Sequence, residues 1–132
     1  MSNILLVGED SRLLETRAEV LARIGAATVC CSQQHMMRDL RGEEFDLIVL
    51  CHSLTTRAAN DAAALARLRW PKAPIALLCS PLDPPNKTSE RFDAVVRSDP
   101  ARLVQATVAL LEATRPAHYL HSATLQFPAQ RT

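Results

Sequence analysis

Apolar positions in this chain fall into short continuous runs separated by stretches of helical spacing. The clearest runs are Asn3-Ile4-Leu5-Leu6-Val7, Phe45-Asp46-Leu47-Ile48-Val49-Leu50 and Ala73-Pro74-Ile75-Ala76-Leu77-Leu78. Nearly unbroken apolar runs of five or six residues are the pattern of strands covered on both faces, as in a parallel sheet. A weaker run, Ala27-Thr28-Val29-Cys30-Cys31, reads as a strand near an edge, and Phe92-Asp93-Ala94-Val95-Val96-Arg97 supplies a fifth over residues 93–97.

Helical patterns fill the gaps. Ser11 is placed to cap a helix reaching about Ile24, with Leu14, Ala18, Leu21 and Ala22 at three- and four-residue spacing and Gly25 as a left-handed stop. Ser32 caps a short helix through about Leu40, which Gly42 ends. After the third strand, Thr55 or Thr56 opens an alanine-rich helix over residues 57–69, with Ala62, Leu65 and Leu68 on one stripe. Pro71 and Pro74 bound the turn into the fourth strand, residues 74–79. Ser80-Pro81-Leu82-Asp83-Pro84-Pro85-Asn86-Lys87 holds three prolines within five residues, which leaves room for at most a turn of helix over 87–91. Asp99-Pro100 is an N-cap followed by proline at the first helical position, and opens a final helix. Its predicted stripe is Val104, Val108 and Leu111, widened by Leu103 and Leu110.

Strands alternating with helices predict a doubly wound α/β domain over residues 1–113, followed by a tail, 114–132, without strong period. The tail's Tyr119, Leu120 and Phe127 are candidates for packing on the domain or joining a homodimer. A chain of 132 residues buries roughly two thirds of its unfolded surface, enough for one core. Composition adds exclusions. With 48% hydrophobic and 22% charged residues the chain is ordinary for a soluble globular protein. Net charge is +1, split as +2 in the tail and −1 in the remainder, too little for a nucleic-acid footprint. No apolar run approaches the roughly 18 residues that span a bilayer, and the start lacks the basic and apolar regions of a signal peptide. Four cysteines in such a composition point to reduced thiols and a cytoplasmic location.

Strand, acidic loop, helix and strand in this order, from Ile4-Leu5-Leu6-Val7 with Gly8-Glu9-Asp10 through Leu47-Ile48-Val49-Leu50 to Val95-Val96-Arg97, resemble the receiver domain of bacterial two-component response regulators. The resemblance covers roughly residues 3–113. It implies a flavodoxin-like (βα)5 sheet in the order 2-1-3-4-5, with the functional crevice at the carboxyl ends of the strands. It also implies where the chemistry of such domains falls. Acidic residues after the first strand hold Mg²⁺, and the matching positions are Gly8, Glu9 and Asp10; Gly8 has no ligating side chain. The phosphoacceptor aspartate falls on Cys51, the phosphoryl-binding threonine or serine on Cys79 (or Ser80, one residue on), and the lysine on Arg97. Ala94 takes the place of an aromatic residue.

The implied class is therefore a pseudo-receiver that works by binding a signalling protein, a kinase or a regulator, without phosphorylation and without a cofactor. No set of nucleophile, base and orienting group for turnover can be assembled, so the chain is not expected to be an enzyme. Glu9 and Asp10 are then simply favourable near the positive end of the first helix. A second hypothesis is a thiol redox sensor. Cys51 and Cys79 end neighbouring strands, where their thiols would share a crevice and Arg97 would lower a thiol pKa. A zinc site is not supported: His52 follows Cys51 and His118 stands three residues before His121, without a CxxC pair or a third nearby ligand. Cys30 and Cys31, adjacent on a strand, should point one outward and one inward.

Overall fold

In chain order the computed structural model contains β1 (Asn3–Val7), α1 (Ser11–Ala22), β2 (Ala27–Cys31), α2 (Gln33–Asp39), β3 (Leu47–Leu50), α3 (Thr56–Arg69), β4 (Ile75–Cys79), β5 (Ala94–Arg97) and α4 (Pro100–Ala113). It describes residues 2–39, 43–79 and 92–113. The predicted stop at Gly42, the proline-rich connection with its turn of helix at 87–91, Ser80, and the tail with His118, Tyr119, Leu120, His121 and Phe127 lie outside the described residues.

All five strands are parallel and the order is β2-β1-β3-β4-β5. The predicted flavodoxin-like sheet is the observed one. β3 lies at its centre, with all four residues buried, and β2 lies at one edge. Alternation along the strands separates two cores. Leu5, Val7, Ile48, Leu50, Ile75 and Leu77 face Met36 of α2 and Ala59, Ala62, Ala63 and Ala66 of α3. Ile4, Leu6, Leu47, Val49 and Leu78 face Leu14 and Leu21 of α1 and Leu103 of α4.

The helix ends follow the sequence with one change. Asp10, not Ser11, caps α1: it is extended, and its Oδ1 accepts from the Arg12 and Leu13 amides at 3.1 and 3.3 Å. Thr55 caps α3 through the Ala58 amide, and Asp99 accepts from Arg102 at 2.9 Å. Ser32 Oγ accepts from the His35 amide at the start of α2. Gly25 has φ +83°, the left-handed stop expected of it.

Three predicted stripes are rotated or narrowed. α3 buries Ala59, Ala62, Ala63 and Ala66, and Leu68 is 81% exposed, because close packing on the sheet selects the small side chains. α4 buries Leu103 and Thr107 and leaves Val108 exposed, one position round from the predicted stripe. α1 buries Leu14 and Leu21 as expected, but Ala22 is exposed and Arg17 stands between the leucines.

Loops at the amino ends of the strands are tied by polar contacts. Asp93 Oδ2 accepts from the Ile75 amide at 2.7 Å and from Arg67 of α3 at 2.9 Å, fixing β5 against β4. Before β3, Phe45 meets Trp70 edge to face with centroids 5.2 Å apart, and Trp70 Nε1–H donates to the Glu43 carbonyl at 2.6 Å.

Candidate functional site

β1 and β3 are adjacent, so their carboxyl ends bring Gly8 and Cys51 together. The Cys51 amide donates to the Val7 carbonyl at 2.8 Å, and the Gly8 amide to the Cys31 carbonyl at 3.0 Å. The crevice between them is filled. A Cβ on Gly8 would lie 2.9 Å from Ser53 Oγ, 3.1 Å from Cys51 Cβ and 3.3 Å from Leu14 Cδ2. Glycine is needed here for space, and Ser53 uses that space to accept from the Glu9 amide at 2.9 Å.

Both acidic side chains after β1 take structural partners. Asp10 caps α1, and Glu9 Oε2 accepts from the Gln33 amide at the start of α2 at 3.2 Å. The expectation that both serve the first helix is thus corrected for Glu9, which serves the second. Among the described residues no three His, Cys, Asp or Glu side chains are grouped to hold a metal ion.

Cys51 is 1% exposed and belongs to the core on the α1 and α4 side. Burial raises its pKa, and the nearby charge of Arg17 opposes that rise without overcoming it. The cation beside Cys51 is therefore Arg17, reached from α1, where the sequence pointed to Arg97. Cys79 is buried in the other core, with Leu50 and Leu77. Leu50 pairs with Leu77, so Cys51 comes level with Leu78 and Cys79 stands one residue further, on the opposite face. The shared crevice expected of the two thiols does not form, because side chains alternate along each strand. Arg97 pairs with Cys79 in the ladder at the exposed end of β5, and Ala94 opens that strand opposite Ala76. His35 is exposed on α2.

None of the four cysteines is in a disulfide; Cys30 is exposed, and Cys31, Cys51 and Cys79 are buried. Cys30 and Cys31 point outward and inward as predicted. Burial, with smaller contributions from Cys30, Glu9 and Glu43, pushes the Cys31 thiol up to about 12. Its folded pKa exceeds its unfolded value, so the associated stability is present below pH 9.0 and is lost as the pH rises toward 12. Burial and the Glu15 carboxylate raise the Cys30 thiol as well. In native protein at neutral pH a disulfide reagent is nevertheless expected to label exposed Cys30 first, and the other three only after unfolding. Rapid native labelling of Cys51, read by peptide mass, would contradict the burial described here.

Arg17 and His52 were not singled out together by the sequence. Arg17 is 6% exposed, and its Nη2 donates to His52 Nδ1 at 3.1 Å. The available clue was periodic: Arg17 lies three residues after Leu14 and four before Leu21, inside the buried stripe of an amphipathic helix.

A five-stranded parallel sheet in this order, with the residues after β1 and β3 meeting at its carboxyl edge, is the receiver fold. The chain is similar over most of its length to solved receiver structures. A signal receiver domain of an HD domain-containing protein from Pseudomonas fluorescens matches with TM-score 0.71 and 19% identity, covering 86% of this chain and 96% of that one. The non-phosphorylated HemR receiver domain from Leptospira biflexa matches with TM-score 0.70 and 19% identity, covering 88% and 98%. An uncharacterized protein from Neptuniibacter caesariensis matches with TM-score 0.74 and 11% identity, covering 96% of each chain. No protein-family model matches the chain, and no curated protein does.

Proposed function

We propose that this chain is a receiver-like signalling module of a bacterial two-component-type pathway, acting through protein–protein interaction and without aspartyl phosphorylation. The observation that carries this reading is the packing at the carboxyl end of β3. On the receiver resemblance Cys51 stands for the acceptor; it is buried as a thiol, and the space before it is closed by Ser53 against Gly8. A receiver's phosphoryl chemistry needs a carboxylate nucleophile and oxygen ligands for Mg²⁺. Here Glu9 and Asp10 are spent on capping two helices.

The module performs no turnover and needs no cofactor. Its partner is a kinase or regulator that reads a fixed conformation, since no phosphoryl ligand biases one state over another. A cytoplasmic setting agrees with its thiols, and no helix among the described residues is long and apolar enough to cross a membrane.

The test is intact-mass spectrometry of reduced protein after incubation with acetyl phosphate and Mg²⁺, beside a competent receiver. The mass is expected to stay unchanged while the control gains a phosphoryl group. A phosphoryl adduct on Glu9, Asp10 or Cys51 would overturn the proposal.

A further inference from the structure

Arg17 is the only charged side chain buried among the described residues. Its guanidinium is a permanent cation with five N–H donors and no acceptor. Nη2 donates to His52 Nδ1, and Nη1, also buried, has no hydrogen-bond partner. Among the described residues no carboxylate forms an ion pair with it. Such burial is unfavourable unless the charge is paired and its donors are met.

His52 meets this need only in part. Because a guanidinium can only donate, Nδ1 must accept, and the ring is neutral with its proton on Nε2. A neutral nitrogen is a weaker acceptor for a guanidinium than an oxyanion, which engages two of its nitrogens at once. His52 is half-buried, in the turn directly after β3, whereas Nη1 is sealed. A ligand therefore reaches the guanidinium by displacing the imidazole.

We propose that Arg17 binds a small oxyanion of the phosphate class, held non-covalently through Nη1 and Nη2, with His52 as its displaceable gate. The Cys51 thiol lies alongside, within hydrogen-bonding reach of the guanidinium, and is too weak an acceptor to neutralise it. The site lies on the α1 side of the β3 end and requires only Arg17 and His52, so it stands apart from the signalling reading. Orthophosphate carries no activated leaving group, so binding it gives no covalent adduct. Failure here and failure of the acetyl phosphate test are thus separate results.

The test uses the full chain, with inorganic phosphate titrated against sodium chloride at matched ionic strength and followed by calorimetry and thermal melting. A saturable heat and a rise in Tm with phosphate are expected, because a ligand that binds only the folded state stabilises it. Arg17→Met should abolish both. Arg17→Lys keeps the charge but loses the fork, and should weaken binding about tenfold. His52→Ala removes the competing acceptor and should tighten binding about threefold or more, since the open state no longer has to be populated against the imidazole. A response equal to that of chloride, or one unchanged in Arg17→Met, would overturn the proposal. So would unchanged or weaker binding in His52→Ala, a variant that stays informative if Arg17→Met fails to fold.

Discussion

Trp70→Ala is expected to lower the unfolding free energy by about 3–5 kcal/mol, the range for emptying a large aromatic site in a core. Trp70 ends α3, is buried, and holds the segment before β3 in two ways. Its ring meets the edge of Phe45, and its Nε1–H donates to the Glu43 carbonyl. Truncation removes apolar contact and the aromatic pair together and leaves a void that the sheet cannot close. For a domain with a total stability of about 5–15 kcal/mol that is a large share. Denaturant unfolding followed by far-UV circular dichroism checks it, because Trp70 is the only tryptophan and the variant lacks its fluorescence. Trp70→Phe keeps most of the packing and should lose about 1 kcal/mol with the hydrogen bond. Equal losses in the two variants would show that the packing account is wrong.

Gly8→Ala should cost about 1–3 kcal/mol, as overpacking of a well-filled site does. The reason is contact and not backbone conformation, since the added methyl meets Ser53 Oγ at 2.9 Å and Cys51 Cβ at 3.1 Å. Ser53→Ala removes the nearer of these atoms, so the double variant should be less destabilised than the two single losses predict. A double-mutant cycle reads that coupling, and strict additivity would contradict the contact. The same crowding bears on any attempt to build an acidic pocket here. Gly8→Asp introduces a larger side chain into the same space, and should destabilise the domain more than Gly8→Ala without creating a Mg²⁺ site.

Much of this molecule can be read from residues in order. The apolar runs at 3–7, 47–50 and 75–79 could only be strands buried on both faces, and the caps at Thr55 and Asp99 are visible as residue types at helix starts. Amphipathic stripes were less exact. On α3 the distinction between Leu65, half-buried, and Leu68, in solvent, depends on how closely the helix approaches the sheet, and alanines at 59, 62, 63 and 66 allow a close approach. Hydrophobicity alone favours leucine at such positions, and contact distance reverses the choice.

The candidate site divides in the same way. That Cys51 ends the central strand, and that Gly8, Glu9 and Asp10 follow the first, is written in the sequence because strand ends are local. Which side chains meet there is not. The parity of the β3–β4 register places Cys51 and Cys79 on opposite faces, and one residue of slip would have reversed that result. The neighbour of Cys51 is Arg17, 34 positions earlier in the chain and brought there by the packing of α1 on the sheet. Local patterning thus determined the elements, their order and the place of Cys51 directly after the central strand. Tertiary packing decided the closed crevice at Gly8, the helix caps taken by Glu9 and Asp10, and the buried cation, because each depends on distances between segments that no local period encodes.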